Sequence, residues 1–95
     1  MILKDQLRFW LRVKKTDRCW LWFGAQASDG YGLFIYNGKR GYAHRFSYEL
    51  HKGSIPRGFT IDHLFPRCIS KLCVRPSHLE AVTREENSRR VWTDE

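Results

Sequence analysis

The sequence predicts a small α+β domain fastened by a structural metal ion. Segments with helical apolar spacing stand near the start, in the middle and near the end of the chain, separated by short aromatic runs that read as strands. Cys68, Cys73 and His78 follow one another at an even interval, C-x4-C-x4-H, in a stretch with little periodicity. A chain of 95 residues hides a smaller fraction of its unfolded surface than a longer one does, so a cross-link is worth more to it. The whole stretch, 1–95, reads as a single domain with residues 1–18 as an N-terminal helical extension.

From Leu3 to Lys14, the apolar residues Leu3, Leu7, Phe9, Trp10, Leu11 and Val13 recur among charges as in a short amphipathic helix. Cys19–Gly24 and Tyr31–Tyr36 are aromatic-rich strand patterns on either side of the turn-forming Ser28-Asp29-Gly30. Asn37-Gly38 predicts a tight hairpin, because a two-residue turn with positive φ at both positions favours that pair. A helix follows over Ala43–Lys52, with Ala43, Phe46 and Leu50 on one face and Gly53 as its stop. Ser54–Gly58 reads as a loop, Phe59–Ile61 as a strand delivering Asp62 and His63, Leu64–Ser77 as an irregular loop, and Leu79–Val82 as a returning strand. Thr83-Arg84-Glu85-Glu86 has the form of a capping box that opens a last helix at Arg84, carrying Asn87, Arg90 and Val91.

Seventeen Lys and Arg against ten Asp and Glu give a formal charge of +7, which attracts a polyanion, and nucleic acid is the first expectation. A membrane is the weaker one. The apolar runs fall far short of the roughly 20 residues that a spanning helix needs, and Met1–Arg8 mixes charges into any signal-like run. These features predict a cytosolic protein.

Three cysteines cannot complete a disulfide set, and in a reducing compartment they serve as metal ligands or as buried thiols of the core. Zinc takes four tetrahedral N and S ligands in structural sites, and Cys19 is the natural fourth beside Cys68, Cys73 and His78. Asp62 and Asn87 suit a hard ion, Mg²⁺ or Mn²⁺, that keeps waters and accepts phosphate oxygens. His63 beside them can take a proton from an attacking water. Taken alone, the Asp62-His63 pair reads as a turn cap and a surface histidine, and only its surroundings reverse that reading.

The stretch from Ile61 to Arg90, IDHLFPRCISKLCVRPSHLEAVTREENSRR, resembles the HNH endonuclease motif, in the form related to His-Cys box homing endonucleases and small phage HNH proteins. The resemblance extends back through Cys19-Trp20-Leu21-Trp22, Asp29-Gly30-Tyr31-Gly32 and the segment from Tyr42 to Leu50. It implies a ββα-metal (His-Me finger) motif over residues 59–92. It also implies His63 as general base, Asn87 as helix ligand of the catalytic ion, Asp62 as the ligand before the base, and Cys19, Cys68, Cys73 and His78 around zinc. A phage-encoded protein acting in the host cytosol is implied as well. Leu64–Arg67 separates His63 from Cys68, where relatives usually place the first loop cysteine two residues after the base, which looks like a three-residue insertion; Arg75-Pro76 stands where many relatives have Asn-Pro, and no catalytic task falls to Arg75.

The function implied is metal-dependent hydrolysis of double-stranded DNA, nicking as a monomer or cutting both strands as a homodimer. Lys39, Arg40, Arg45, Arg89 and Arg90 are the candidate phosphate contacts, with Lys39 and Arg40 placed to enter a groove as a β-ribbon. Trp20, Trp22, Phe34, Tyr36, Phe46 and Tyr48 are assigned to the core rather than to base stacking. His44 is left outside the catalytic set, since a buried hydrogen-bonded histidine accounts for it equally well. The rival functions are a zinc-containing DNA-binding module that does not cut and an RNA-binding zinc protein.

Overall fold

The computed structural model describes residues 3–63 and 70–89, with side chains as far as residue 86. Helix α1 (Leu3–Trp10) leads into three antiparallel strand pairs and two further helices. Strands β1 (Val13–Lys15) and β2 (Trp20–Trp22) pair first, then β3 (Leu33–Tyr36) with β4 (Lys39–Tyr42). Helix α2 (Ala43–Lys52) precedes β5 (Phe59–His63), and β6 (Leu79–Thr83) returns along β5 before α3 (Arg84–Arg89). The fold class is therefore α+β, as the periodicities predict.

Helix α1 stops four residues short of the expected end. Val13 pairs with Trp22 and Lys14 with Leu21, so the end of the predicted helix is instead a strand. The aromatic β2 needs an antiparallel partner, and β-branched Val13 fits a pleated surface better than another helical turn; tertiary pairing overrides the local period. The expected amphipathic face also differs. Phe9 is fully buried, while Leu3, Leu7 and Leu11 are 67%, 60% and 85% exposed.

Phe9, Trp22, Phe34, Ala43, Phe46 and Val74 form the buried core. Phe9 stacks on Trp22 at 5.3 Å between ring centres and meets Phe46 at 4.9 Å. Each such side chain contributes roughly 1.5–3 kcal/mol on burial, so the aromatic assignment to the core is where the domain draws its cohesion. Trp20 and Tyr36 pack against the same cluster.

Local chemistry fixes the turns. Asn37 and Gly38 have φ of 54° and 71°, the two positive values that a type I′ hairpin turn demands. The backbone N–H of Glu86 donates to the Thr83 hydroxyl at 3.0 Å, the cap expected at the start of α3.

The described part of the segment read as an irregular loop, residues 70–77, is more ordered than its composition suggests. Trp22 N–H donates to the Leu72 carbonyl and Val74 N–H to the Trp20 carbonyl, laying 72–74 along β2. Pro76–His78 then makes one 3₁₀ turn, with Pro at its start, where a missing N–H costs nothing. No helix among the described residues is long and apolar enough to cross a membrane.

Candidate functional site

The contact between β2 and the late loop brings Cys19, just before β2, to Cys73 and His78, whose sequence distance from it is about 55 residues or more. The two sulfurs and one imidazole nitrogen lie within 4.8 Å of one another. Cys19 Sγ is 3.9 Å and Cys73 Sγ 3.6 Å from His78 Nδ1. A tetrahedral ion with metal–sulfur bonds of about 2.3 Å and metal–nitrogen bonds of about 2.0–2.1 Å has an S···N edge of about 3.6 Å. These three residues could thus hold a metal at three corners of a tetrahedron. Cys68, the expected fourth ligand, lies outside the described residues.

Strand β5 carries the candidate base to this centre. His63 pairs with Leu79 across the ladder, one residue beyond the candidate ligand His78, so the candidate base and the Cys-His cluster meet at the same end of the hairpin. His63 is 5% exposed, and its Nε2–H donates to the Cys73 carbonyl at 2.9 Å. In a neutral imidazole that bond leaves Nδ1 as the proton acceptor. Burial lowers the His63 pKa, against the opposing pull of the Cys73 carbonyl and Asp62.

Sequence reasoning kept His44 out of the site, yet α2 sets it against His63 with ring centres 5.2 Å apart. Tyr31, from the β2–β3 connection, stacks on both imidazoles, at 5.1 Å from His44 and 5.9 Å from His63. His44 is buried as expected of a core histidine, but its buried Nδ1 has no hydrogen-bond partner among the described residues, in contrast to the hydrogen-bonded role expected for it. Burial, followed by the proximity of His63 and then Arg45, lowers its pKa to about 3. Both imidazoles therefore favour the neutral form at pH 7.

The platform is tied down. Tyr31 N–H bonds Asp29 Oδ1, Tyr42 donates its hydroxyl to Asp29 Oδ2 at 3.1 Å, and Lys71 reaches from the metal loop to the Asp29 carbonyl at 3.0 Å. The Tyr31 pKa is raised by its burial, and further by Asp29 and Asp62.

Asp62 is 7% exposed and sits directly across the ladder from Glu80, a carboxylate that sequence reasoning did not single out. Opposed residues share a face of the hairpin, and two carboxylates there favour a cation close by. Asn87 falls on α3, which packs on β5 and β6, but its side chain lies outside the described residues, as does that of Arg89; Arg90 lies wholly outside them.

Of the other candidate phosphate contacts, Arg40 and Arg45 line one groove, while Lys39 does not. Alternation along β4 explains the split, because adjacent residues of a strand face opposite ways. Arg75 instead clasps the carbonyls of Asp17 and Arg18 at 3.0 and 2.8 Å, which fixes the approach to Cys19. That is a structural task, in keeping with its exclusion from the catalytic set.

A paired-strand and helix unit beside a Cys-His cluster, with a buried histidine at the strand end, defines an HNH-type domain. The HNH endonuclease family model matches residues 41–89, more than half of the chain, and the chain belongs to that family. It is also similar to Protein 7.7 of Escherichia phage T7, at 35% identity over 77 residues, 81% of this chain and 57% of that protein. A second relative is the uncharacterized gene 5.3 protein of Enterobacteria phage T3, 36% identical over 44 residues, 46% of this chain and 41% of that protein. The chain thus spans about half the length of these relatives. No solved structure matches it. The family is one of HNH endonucleases, and both relatives are phage proteins.

Proposed function

We propose that the protein is a metal-dependent DNA endonuclease with His63 as its general base. The observation that supports this best is the state of His63: buried, held neutral, and with Nε2 engaged by the Cys73 carbonyl so that Nδ1 is the basic atom. An imidazole fixed in one tautomer takes a proton without first reorienting.

In this reading His63 takes a proton from a water in line with the scissile phosphorus. Tyr31 stacks on its ring, His44 packs against it, and the Cys73 carbonyl holds its Nε2 edge. Asp62 and Asn87 hold Mg²⁺ or Mn²⁺, which when bound supplies charge stabilisation at the phosphate and at the departing 3′ oxygen. Cys19, Cys68, Cys73 and His78 hold zinc, whose preference for mixed sulfur and nitrogen ligands matches the three described donors and their spacing. The stretch acts as one domain, 1–95, with the ββα-metal motif over 59–92 and residues 1–18 appended to it, and it acts on double-stranded DNA in the host cytosol.

The test is plasmid nicking with Mg²⁺ or Mn²⁺. His63→Ala is expected to reduce cutting by a factor of about 10² or more, the scale of a general base, with zinc content unchanged and the domain still folded by circular dichroism at the assay temperature. Equal cutting by the two proteins would remove His63 from the mechanism. Wild-type binding without any cutting would favour the non-catalytic DNA-binding module.

A further inference from the structure

Four arginines from separate parts of the sequence converge on one groove of about 540 Å³. Strand β4 supplies Arg40, α2 supplies Arg45, the loop before β5 supplies Arg57, and α3 supplies Arg84. Arg57 stands at the corner of a turn closed by Phe59 N–H to the Pro56 carbonyl at 3.0 Å, with Gly58 at φ 86° in the third position, the pattern of a type II turn. The turn presents its guanidinium to the groove by backbone geometry. Among the described residues, no carboxylate lines this groove, and Arg40, Arg45 and Arg57 have no ion-pair partner. Tyr42 and Phe59 provide apolar surface between them.

We infer that this groove binds the phosphodiester backbone of duplex DNA beside the cut position, with Arg57 and Arg84 as contacts in addition to Arg40 and Arg45. This rests on the nuclease reading for its position but not for its chemistry. Guanidinium forks match phosphate oxygens in pairs, and several like charges without counter-charges require a polyanion rather than a single ion to balance them. The groove also leads to the catalytic cluster: Tyr42, on its wall, lies 5.5 Å from the His44 ring, which in turn lies beside His63. From Phe59 to His63 the strand advances about 13 Å at about 3.3 Å per residue. At about 3.4 Å of rise per nucleotide, the arginines hold phosphates within about four nucleotides of the bond that His63 faces.

The experiment is fluorescence anisotropy of a short labelled duplex with the zinc-loaded full chain, over a series of salt concentrations and without added Mg²⁺ or Mn²⁺. Arg40→Gln and Arg57→Gln are each expected to flatten the slope of log affinity against log salt by about 0.9, the value of one lost phosphate contact, and the double variant by about twice that. Lys4→Gln, the same charge change on the exposed start of α1, is expected to leave the slope at the wild-type value. Wild-type slopes for both arginine variants, or an equal fall for Lys4→Gln, would overturn the groove assignment. So would arginine variants that lose binding to phosphatidylserine vesicles while retaining the wild-type DNA slope. Because no cutting is measured, a failure of His63 as base leaves this outcome untouched, and a failure here leaves the nicking test intact.

Discussion

Replacing His44 by leucine should remove most of one titration from the stability of the domain. In the folded chain burial holds the His44 pKa at about 3, whereas an unfolded chain restores it to about 6.5. Between those values the unfolded state binds a proton that the folded state refuses, so stability is fully present above about pH 6.5 and falls as the pH drops towards about 3. At about pH 5.5 the unfolded imidazole is roughly nine-tenths protonated, which favours unfolding by about 1.4 kcal/mol relative to about pH 7.5, a tenfold change in the folded-to-unfolded ratio. Urea unfolding of the zinc-loaded protein at the two pH values measures it. With a slope near 1 kcal/mol per molar urea for a domain of this size, the wild-type midpoint should fall by at least about 1 M more than that of His44→Leu. At the higher pH the variant should nearly match the wild type, because the substitution also deletes a buried nitrogen that has no partner among the described residues. His63 titrates in the same direction in both proteins, so the difference between them isolates His44. Identical losses in the two proteins would refute the argument that His44 is buried in its neutral form.

Two other outcomes follow from the same packing. Cys73→Ser, or prolonged chelation of the wild type, is expected to unfold the domain, because binding energy at such a centre is largely folding energy; elemental analysis and far-UV circular dichroism check it, and a metal-free protein with its fold intact would contradict the metal assignment. Gly32→Ala places a methyl group against the Trp22 indole in the core and is expected to cost about 1–3 kcal/mol, the usual penalty of overpacking, read from chemical denaturation.

How much was legible in the sequence depended on distance along the chain. The Asn37-Gly38 turn and the Thr83 cap are decided within a few residues, and the sequence reading matches the structure at both. Helix α2 was equally plain, since Ala43, Phe46 and Leu50 follow one face and Gly53 ends it at φ 96°. The partnership of Cys19 with Cys73 and His78 followed from ligand chemistry rather than from periodicity. Strand β1 was hidden because Val13 sits in a helical pattern until β2 pairs with it. Arg57 and Arg84 were hidden for a related reason: nothing local distinguishes a solvated arginine from one that meets three others from distant segments. Glu80 gained interest only once the register placed it opposite Asp62.

Cys73 joins two tasks that are usually divided between residues. Its sulfur lies in the cluster that could hold a metal, while its carbonyl accepts the bond from His63. The acceptor is main chain, so no change of side chain at this position deletes it directly; only a shift of the loop can. On the proposed reading, in which the cluster holds a metal and His63 is the base, metal loss would reach His63 as a change of geometry before any change of composition, and a chain that braced 72–74 against β2 in another way would keep that imidazole aimed.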